Sequence, residues 1–389
     1  MAVKTLVSSE SVTEGHPDKI CDQISDSILD ACLVQDKNSR VAIETAVKSN
    51  SVYIFGELTT KASINIENIA RKVLKRIGYT HASYGIDYKT AKIIINITKQ
   101  SKNISDAVER SKTQLGAGDQ GVVVGYATNE TKEMIPLPAL LAHKLAKQLS
   151  IARKSGRLPY LRPDGKTFVI AEYENNNPAR IDTIIVSAQH SPQVSLSRLR
   201  KDITHEVVYP ICKPWIDAKT KILINKAGKF IIGGPAADSG LTGRKIIVDA
   251  YGVSACHGGG AFSGKDATKV DRTGSYLARN IAKNLIRNKI ASRVQVMLSY
   301  AIGNPEPISI NVNHFGTSAY KTDEIINIIK QNFPLQLSKT IKYFNLQSPI
   351  FEKTASYGHF GRTEKTFYWE NTYVKIKKPN AKNKSINRG

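Results

Sequence analysis

Residues 40–60 read RVAIETAVKSNSVYIFGELTT, and this stretch decides the fold class. Two runs rich in β-branched and aromatic residues flank the polar pair Ser49-Asn50. That pattern is typical of two strands joined by a tight turn, so we predict strands at 40–48 and 51–60. An amphipathic helix at 64–77 and a buried strand at 91–98 are predicted to follow them.

The rhythm of paired strands and a helix recurs twice more along the chain. The predicted elements of the second region are strands at 167–173 and 181–189, a helix near 195–208, and strands within 221–232 that turn at Ala227-Gly228. Those of the third region are strands at 293–302 and 307–314 and a helix at 322–331. The regions share no obvious residue-level identity, so their likeness is one of pattern. We therefore predict an α+β fold of three similar strand-strand-helix domains in a pseudo-threefold arrangement.

The boundaries between these domains are predicted from breaks in the pattern. The segment 101–118 is polar, has weak periodicity and ends in Gly116 and Gly118, which is typical either of a mobile lid or of a simple surface excursion. The predicted organisation is an N-terminal domain at 3–101, a mobile active-site loop at 102–118, a central domain at 119–232, a C-terminal domain at 233–372 and a disordered basic tail at 373–389.

The composition is that of a globular protein without membrane spans. Hydrophobic residues make up 41% of the 389 residues and charged residues 23%, which suits two or three domains. No apolar run approaches the roughly 20 residues that a span needs, and acidic residues interrupt the N-terminus before any signal-peptide core could form. The four cysteines form no CxxC pair, so we expect reduced thiols and a cytoplasmic location.

The formal net charge of +23 allows three interpretations. A basic chain can bind nucleic acid, it can focus a positive field on an anionic substrate, or it can reflect compositional drift toward lysine. Aromatic residues make up only 7%, and no nucleic-acid-binding motif is present, so we expect no nucleic-acid partner. We prefer compositional drift as the explanation for the scattered lysines. We expect functional residues where basic side chains occur close to glycines and acidic residues in the sequence.

The first such place is Gly15-His16-Pro17-Asp18-Lys19, which opens a predicted helix. Pro17 suits the first helical turn, and a helix N-terminus presents free N–H groups to a phosphate. The His16 imidazole lies next to it, and the Asp18 carboxylate is a candidate Mg²⁺ ligand. Ile20, Ile24, Ile28 and Cys32 form an apolar face, with Asp22, Asp26 and Asp30 on another. An ordinary capped helix is the alternative.

The second place is Gly233-Gly234-Pro235, followed by Asp238 and Gly243-Arg244-Lys245. Glycines let the backbone approach a ligand closely, and adjacent arginine and lysine neutralise phosphate oxygens. A turn followed by a solvated basic pair is the alternative.

The third place, residues 257–266, reads HGGGAFSGKD and builds a flexible or tightly turned loop. Lys265, Lys269 and Arg272 are at helical spacing and are predicted to converge on one anion, with Asp271 as a second hard-metal ligand. The stretch nearly matches a P-loop, but Asp266 stands where Ser or Thr should hold Mg²⁺, so we reject that assignment. A fourth stretch, 115–121, places Asp119 among glycines, where it could hold a substrate hydroxyl or amine, or simply form a turn.

Together these motifs closely resemble the S-adenosylmethionine synthetase family, in its bacterial form. The stretches that carry the resemblance, which covers residues 3 to about 370, are EGHPDK at 14–19, GAGDQG at 116–121, YATNE at 126–130, GRK at 243–245, GGGAFSGKD at 258–266 and YGHFGR at 357–362. The resemblance implies attack of the methionine sulfur on C5′ of ATP, followed by hydrolysis of the released triphosphate to pyrophosphate and phosphate.

The resemblance also implies roles for individual residues. The catalytic residues around the triphosphate are expected to be His16, Lys166, Arg244, Lys245, Lys265 and Lys269. ATP is expected to contact these, apart from Lys269, together with Asp164, Lys229, Phe230, Asp238 and Ala261. Methionine is expected at Glu57, Gln100, Asp238 and Lys269, with Asp119 near substrate. Two Mg²⁺ ions are expected at Asp18 and Asp271, and one K⁺ at Glu44.

The resemblance further implies a homo-oligomer. Members of the family form dimers with the active sites at the subunit interface, and these usually pair into tetramers. ATP and L-methionine are thus the expected small-molecule partners, and a second copy of the chain is the expected protein partner.

Overall fold

The computed structural model describes residues 3–99 and 115–376. Its longer helices are α1 (Pro17–Gln35), α2 (Ile66–Ile77), α3 (Leu137–Lys154), α4 (Leu196–Ile203), α5 (Val270–Arg287), α6 (Thr322–Asn332) and α7 (Leu337–Tyr343). Its strands are β1 (Lys4–Val12), β2 (Arg40–Lys48), β3 (Ser51–Thr59), β4 (Lys92–Thr98), β5 (Gly121–Thr128), β6 (Leu161–Glu174), β7 (Asn177–His190), β8 (Lys221–Ile224), β9 (Gly240–Leu241), β10 (Arg293–Tyr300) and β11 (Ser309–Asn313).

The strands form three sheets, ordered β4-β3-β2-β9, β1-β6-β7-β8 and β11-β10-β5. The predicted α+β class with three strand-and-helix units is therefore confirmed. Each sheet also contains a strand from a distant part of the sequence: β9 pairs with β2, β1 with β6, and β5 with β10. These exchanges tie the three units together, because each sheet is complete only when two regions of the chain meet.

The first sheet follows the predicted hairpin closely. Strands β2 and β3 pair in register from Arg40 opposite Thr59 to Lys48 opposite Ser51, around a turn in which Ser49 has a φ of 51°. Strand β4 is the end strand of its sheet and has only β3 as a neighbour, so its Ile95 remains 44% exposed. The prediction of a buried strand at 91–98 is thus right about the strand and wrong about its burial.

The second sheet contains the longest hairpin. Strands β6 and β7 extend to a two-residue turn at Asn175-Asn176, whose positive φ values of 50° and 64° suit a tight hairpin turn. The predicted strands within 221–232 stop at Ile224, because Asn225 turns away with a φ of 43° and its side chain bonds the backbone of Ala188 on β7. The strand predicted after the turn at Ala227-Gly228 is therefore wrong.

Helix α1 is buried on both faces. The predicted apolar face of Ile20, Ile24, Ile28 and Cys32 is confirmed, since these residues are fully buried. The aspartates on the other side do not face solvent: Asp22 and Asp26 are also fully buried, because their carboxylates accept hydrogen bonds from loops packed on the helix. A helix with two buried sides is a central element of the core rather than a surface helix.

In the third unit, helix α5 lies directly on strand β5. A Cβ atom at Gly125 would stand 2.0 Å from the carbonyl carbon of Ala278, so only glycine permits this approach. The chain then continues past the predicted start of the tail at 373, because Asn284 and Asn288 of α5 bond the backbone of Val374 and Ile376. The remainder of the predicted tail lies outside the described residues. Over residues 3–99 and 115–376, no helix is both long and apolar enough to cross a membrane.

Candidate active site

The N-terminus of α1 is closed by a side chain rather than left open. His16 is the N-cap residue, and its Nδ1 accepts a hydrogen bond of 3.2 Å from the backbone N–H of Asp18, with Pro17 in the first turn as predicted. Burial lowers the pKa of His16 to about 4, and the positive charges of Lys245 and Lys166 act in the same direction. The imidazole is therefore neutral near pH 7, with its proton on Nε2.

Basic residues surround Asp18 from the second motif. Lys245 lies with its Nζ 2.6 Å from Oδ2 of Asp18, and the Nε of Arg244 is 3.8 Å from Oδ1. The same Oδ1 accepts a hydrogen bond from the backbone N–H of Leu241, so the carboxylate is fixed in position. Arg244 is half exposed, which leaves most of its guanidinium donors available to a ligand.

Lys166 and Asp238 complete this group of charges. Lys166 is on β6, is 47% exposed and forms an ion pair with Glu10. Its charge lowers the pKa of His16 and that of Asp238 raises it, so both act on the imidazole. We call His16, Asp18, Lys166, Asp238, Arg244 and Lys245 the helix-end group.

Asp164 is buried against the Gly233-Gly234 turn. Its carboxylate accepts a hydrogen bond of 2.8 Å from the backbone N–H of Gly234, and burial raises its pKa to about 6. Lys229 and Phe230 are farther along the same loop, where Phe230 exchanges two hydrogen bonds with His190. Asp164 is thus on β6, whereas Lys229 and Phe230 are in the loop that follows β8.

The third motif forms a second charged group. Nζ of Lys265 is 2.6 Å from Oδ2 of Asp271, and Nζ of Lys269 is 2.5 Å from Oδ2 of Asp266. Arg272 was predicted to join the lysines, and this is wrong: it is fully buried and pairs with Asp26 of α1. Lys265 precedes α5, which begins at Val270, so the three residues do not share one helix. Arg272, in the first turn of α5, is held in the core by the Asp26 carboxylate. We call Lys265, Lys269 and Asp271 the glycine-loop group.

Several glycines of these motifs are needed for packing against protein atoms. A Cβ at Gly233 would meet the side chain of Gln189 at 2.7 Å, and one at Gly234 would meet the Tyr79 hydroxyl at 2.4 Å. A Cβ at Gly258 would lie 1.7 Å from the Val122 carbonyl oxygen. These contacts give Gly233, Gly234 and Gly258 a role in packing, and the approach of Gly233 and Gly234 to a ligand stays a prediction.

The two groups lie along one edge of strand β2. Gly240 and Leu241 pair with Val47 and Ala46, while Lys265 bridges to Ala42 farther along the same strand. The two loops also touch, since a Cβ at Gly243 would be 2.5 Å from the Cβ of Ala261. Pairing with β2 therefore places the two cationic loops, 243–245 and 258–266, side by side.

The expected methionine and potassium residues lie on the neighbouring sheet face. Ala42 is opposite Glu57 on β3 and next to Lys265, so the side chains of Glu57 and Lys265 project from the same side of the sheet. Glu44, two residues after Ala42, is exposed on that side as well. Asp119 is exposed and bonds the backbone N–H of Gln120, while Gln100 and nearly all of the predicted mobile loop lie outside the described residues.

Several residues that support the site were not predicted. Lys19 is fully buried between Asp22 and Asp249, Tyr79 donates a hydrogen bond to the Gly15 carbonyl, and Glu14 pairs with Arg153. The four-residue spacing of Asp18, Asp22, Asp26 and Asp30 was a visible signal, but spacing alone does not distinguish a solvated face from a buried one.

The carboxylates fit magnesium that arrives with a polyphosphate. Asp18 and Asp271 each present a hard oxygen donor, and in residues 3–99 and 115–376 no three His, Cys, Asp or Glu side chains converge on one metal position. Mg²⁺ commonly binds one or two carboxylates together with substrate phosphates, so single aspartates in cationic surroundings suit it.

Comparison with known proteins identifies the family of the chain. Models of the N-terminal, central and C-terminal domains of S-adenosylmethionine synthetase match residues 4–102, 114–230 and 232–371. The S-adenosylmethionine synthase of Clostridium botulinum (strain Alaska E43 / Type E3) is 49% identical, over 97% of this chain and 100% of the relative. The chain therefore belongs to the S-adenosylmethionine synthetase family, whose members make S-adenosylmethionine from ATP and L-methionine.

Proposed function

We propose that this chain joins ATP and L-methionine by attack of the sulfur on C5′, releasing triphosphate, and then hydrolyses the triphosphate to pyrophosphate and phosphate. The observation that carries the proposal is the placement of two cationic loops, 243–245 and 258–266, against each other along the edge of β2. A polyphosphate chain carries several negative charges and needs such a row of donors.

The lysines are already held in position for this role by acids. Lys245 contacts Asp18, and Lys265 contacts Asp271. When a magnesium polyphosphate binds, each lysine can turn to a phosphate oxygen while its aspartate turns to the metal. Each charged group would then keep a partner of opposite charge throughout binding, so the desolvation cost of binding stays low.

His16 acts as a hydrogen-bond donor rather than as a proton shuttle. With Nδ1 occupied by the Asp18 N–H, its Nε2–H is the group that can face a phosphate or bridging oxygen. A thioether needs no base to become a nucleophile, so catalysis depends on orientation and on stabilising the charge that develops on the leaving triphosphate. Loss of one such charged contact costs on the order of 2–4 kcal/mol of barrier.

Two Mg²⁺ ions bound with the triphosphate, with Asp18 and Asp271 as protein ligands, would neutralise that charge further. Glu44 offers one carboxylate toward K⁺, so the remaining oxygen ligands of a potassium site must come from elsewhere. The open sheet face that carries Glu44 and Glu57 is where methionine and K⁺ would bind together.

A dimer would explain why one face of the first sheet is exposed in a single chain. Helices α1 and α2 pack on one side of the first sheet, while the other side carries Tyr53, which is 43% exposed, together with Glu44 and Glu57. A second copy placed on this face would bury it and close the site, and two such dimers would form the tetramer. The four cysteines, all in the described part of the chain, are unpaired, which supports a cytoplasmic location.

The test is product formation by purified protein. We expect mass spectrometry to detect S-adenosylmethionine only when ATP and methionine are both present, with loss of product when Mg²⁺ is omitted and a lower rate without K⁺. Lys265→Ala should keep its fold and lose about 100- to 1000-fold in kcat. Lys201→Ala, on an exposed turn of α4, is the matched control. Wild-type turnover by a folded Lys265→Ala protein would contradict the proposed site.

A further inference from the structure

Three successive turns of α1 hold the backbone of the phosphate-facing loops. Asp18 accepts a hydrogen bond from the N–H of Leu241, Asp22 from that of Gly243 at 2.9 Å, and Asp26 from that of Gly264 at 2.8 Å. Each of these N–H groups lies within a few residues of a basic side chain of the site. Helix α1 therefore fixes the backbone of both cationic loops.

The contact at Gly264 is reinforced by a buried ion pair. Arg272 forms a two-pronged bridge to Asp26, with Nη1 2.7 Å from Oδ1 and Nη2 2.8 Å from Oδ2. Nη1 also donates to the carbonyl of Lys265 at 3.1 Å. Asp26 thus accepts a hydrogen bond from the N–H of Gly264, just before Lys265, and Arg272 donates one to the carbonyl of Lys265 itself.

The other donors of Arg272 have partners within the core. Its Nε lies 3.1 Å from the Tyr276 hydroxyl, and Nη2 lies 3.0 Å from Oγ1 of Thr354. The guanidinium is therefore fixed in one orientation, and it cannot turn toward a substrate. Its planar fork is required for this arrangement, since lysine offers a single charged nitrogen that cannot reach both oxygens and the carbonyl.

The loop is also fixed from the sheet side. The carbonyl of Gly264 accepts a hydrogen bond of 3.0 Å from the N–H of Ile43 on β2. Gly264 has a φ of 80°, and a Cβ there would lie 1.9 Å from the Ile43 carbonyl oxygen. Lys265 consequently follows a residue whose conformation and distance from β2 admit only glycine.

We propose that Asp26 and Arg272 are positioning residues for the reaction: they clamp the backbone on both sides of Lys265 and so set where its ammonium meets the triphosphate. The inference rests on the proposed role of Lys265. Neither clamp residue reaches substrate, because both are fully buried. Misplacement of a charged group by about 1 Å can cost on the order of 100-fold in rate, so a distortion of this clamp should appear in kcat.

Arg272→Lys tests the clamp, since it keeps the charge and loses the fork. Arg180→Lys is the matched control: Arg180 on β7 also forms a two-pronged bridge, from Nε and Nη2 to the carboxylate of Asp217, and belongs to the second sheet. We expect Arg272→Lys to lower kcat about 100-fold and to speed hydrogen exchange in residues 258–266. Arg180→Lys should retain wild-type kcat and speed exchange only near 215–221.

The outcomes separate the clamp from the site itself. Wild-type kcat in Arg272→Lys, with Lys265→Ala inactive, would overturn the clamp and leave the proposed function intact. Wild-type turnover by Lys265→Ala would instead remove Lys265 from the site and the clamp's role with it. If Arg272→Lys does not fold, Gly264→Ala decides, because it displaces the loop without changing a buried charge: wild-type kcat there would likewise overturn the inference.

Discussion

The Nδ1 atom of His16 accepts the backbone N–H of Asp18 at 3.2 Å, which fixes both the tautomer and the direction of the imidazole. The ring caps α1, so in the proposed site this helix end would meet a phosphate through Nε2–H rather than through the bare backbone. Burial and the neighbouring Lys245 lower the pKa of His16 to about 4, so the ring would donate this hydrogen bond while uncharged.

The first prediction concerns the pH dependence of turnover. Because His16 stays neutral down to about pH 4, kcat/KM for ATP should show no limb from this residue between about pH 6 and 8. His16→Asn keeps an oxygen that can accept the Asp18 N–H and should lose less activity than His16→Phe, which has no acceptor. A limb near pH 6.5 in the wild-type profile that vanishes in His16→Asn would contradict a neutral donor.

The second prediction concerns stability in acid. His143 is buried, its Nδ1 is 2.9 Å from the Ser11 hydroxyl, and burial lowers its pKa to about 3. The unfolded chain takes up a proton on this ring near pH 6.5, whereas the folded protein takes it up only near pH 3, so lowering the pH between these values favours unfolding. Each pH unit in this window lowers the free energy of unfolding by up to about 1.4 kcal/mol. His143→Asn should therefore flatten the decline in the urea midpoint from pH 6.5 to 4.5, and an unchanged slope would show that this ring does not resist protonation.

The third prediction concerns a buried ion cluster that joins the C-terminal segment to α5. Glu370 pairs with Arg279 at 3.0 Å and with Lys283 at 2.6 Å, and Arg279 also donates to the carbonyls of Tyr126 and Met134. Glu370→Gln leaves two buried cations without their counter-charge, so we expect a loss of about 3–5 kcal/mol of unfolding free energy.

The matched control for Glu370→Gln is Glu67→Gln. Glu67 pairs with Arg71 on the surface, where its side chain is 54% exposed, and a change there should cost about 0–1 kcal/mol. Thermal denaturation of both variants measures the difference. Equal melting temperatures would mean that the buried cluster does not stabilise the third unit.

The fourth prediction concerns the contact between β5 and α5. Gly125→Ala places a methyl group 2.0 Å from the Ala278 carbonyl carbon, so the helix must move away from the sheet. We expect a loss of about 3 kcal/mol, the upper end of the range for overpacking in a core, because the neighbouring atoms are helix backbone. Gly156→Ala, where nothing lies within 4 Å and only the φ of 76° is unfavourable, should cost about 1 kcal/mol. Similar urea midpoints for the two variants would contradict the close approach.

The fifth prediction concerns the open face of the first sheet. Tyr53→Glu introduces a charge at a position that the proposed dimer buries, so light scattering should show a smaller particle and turnover should fall with it. Tyr209→Glu is the control, since Tyr209 is similarly exposed at 39% but lies on a helical turn of the central unit. If Tyr53→Glu keeps the wild-type mass and rate, this face is not the subunit contact.

The alternation of residues 40–60 was sufficient to predict the β2–β3 hairpin, and the glycine-rich and basic motifs indicated the loops that the structure brings together along β2. Local signals of this kind depend on periods of two or about four residues and on which backbone angles a residue tolerates. They failed at Asn225, where a side-chain bond to β7 ends a strand, and at β4, whose exposure depends on being last in its sheet.

By itself, the sequence determined the residue types that can meet a polyphosphate and the hairpins and helices that carry them. Only the tertiary structure decided which charges stay accessible and which are buried: Lys265 is partly exposed beside Asp271, whereas Arg272 is buried against Asp26. The reason is physical. A charged side chain can be buried only where a partner of opposite charge is fixed at hydrogen-bonding distance, and that partner here lies 246 residues away in the chain.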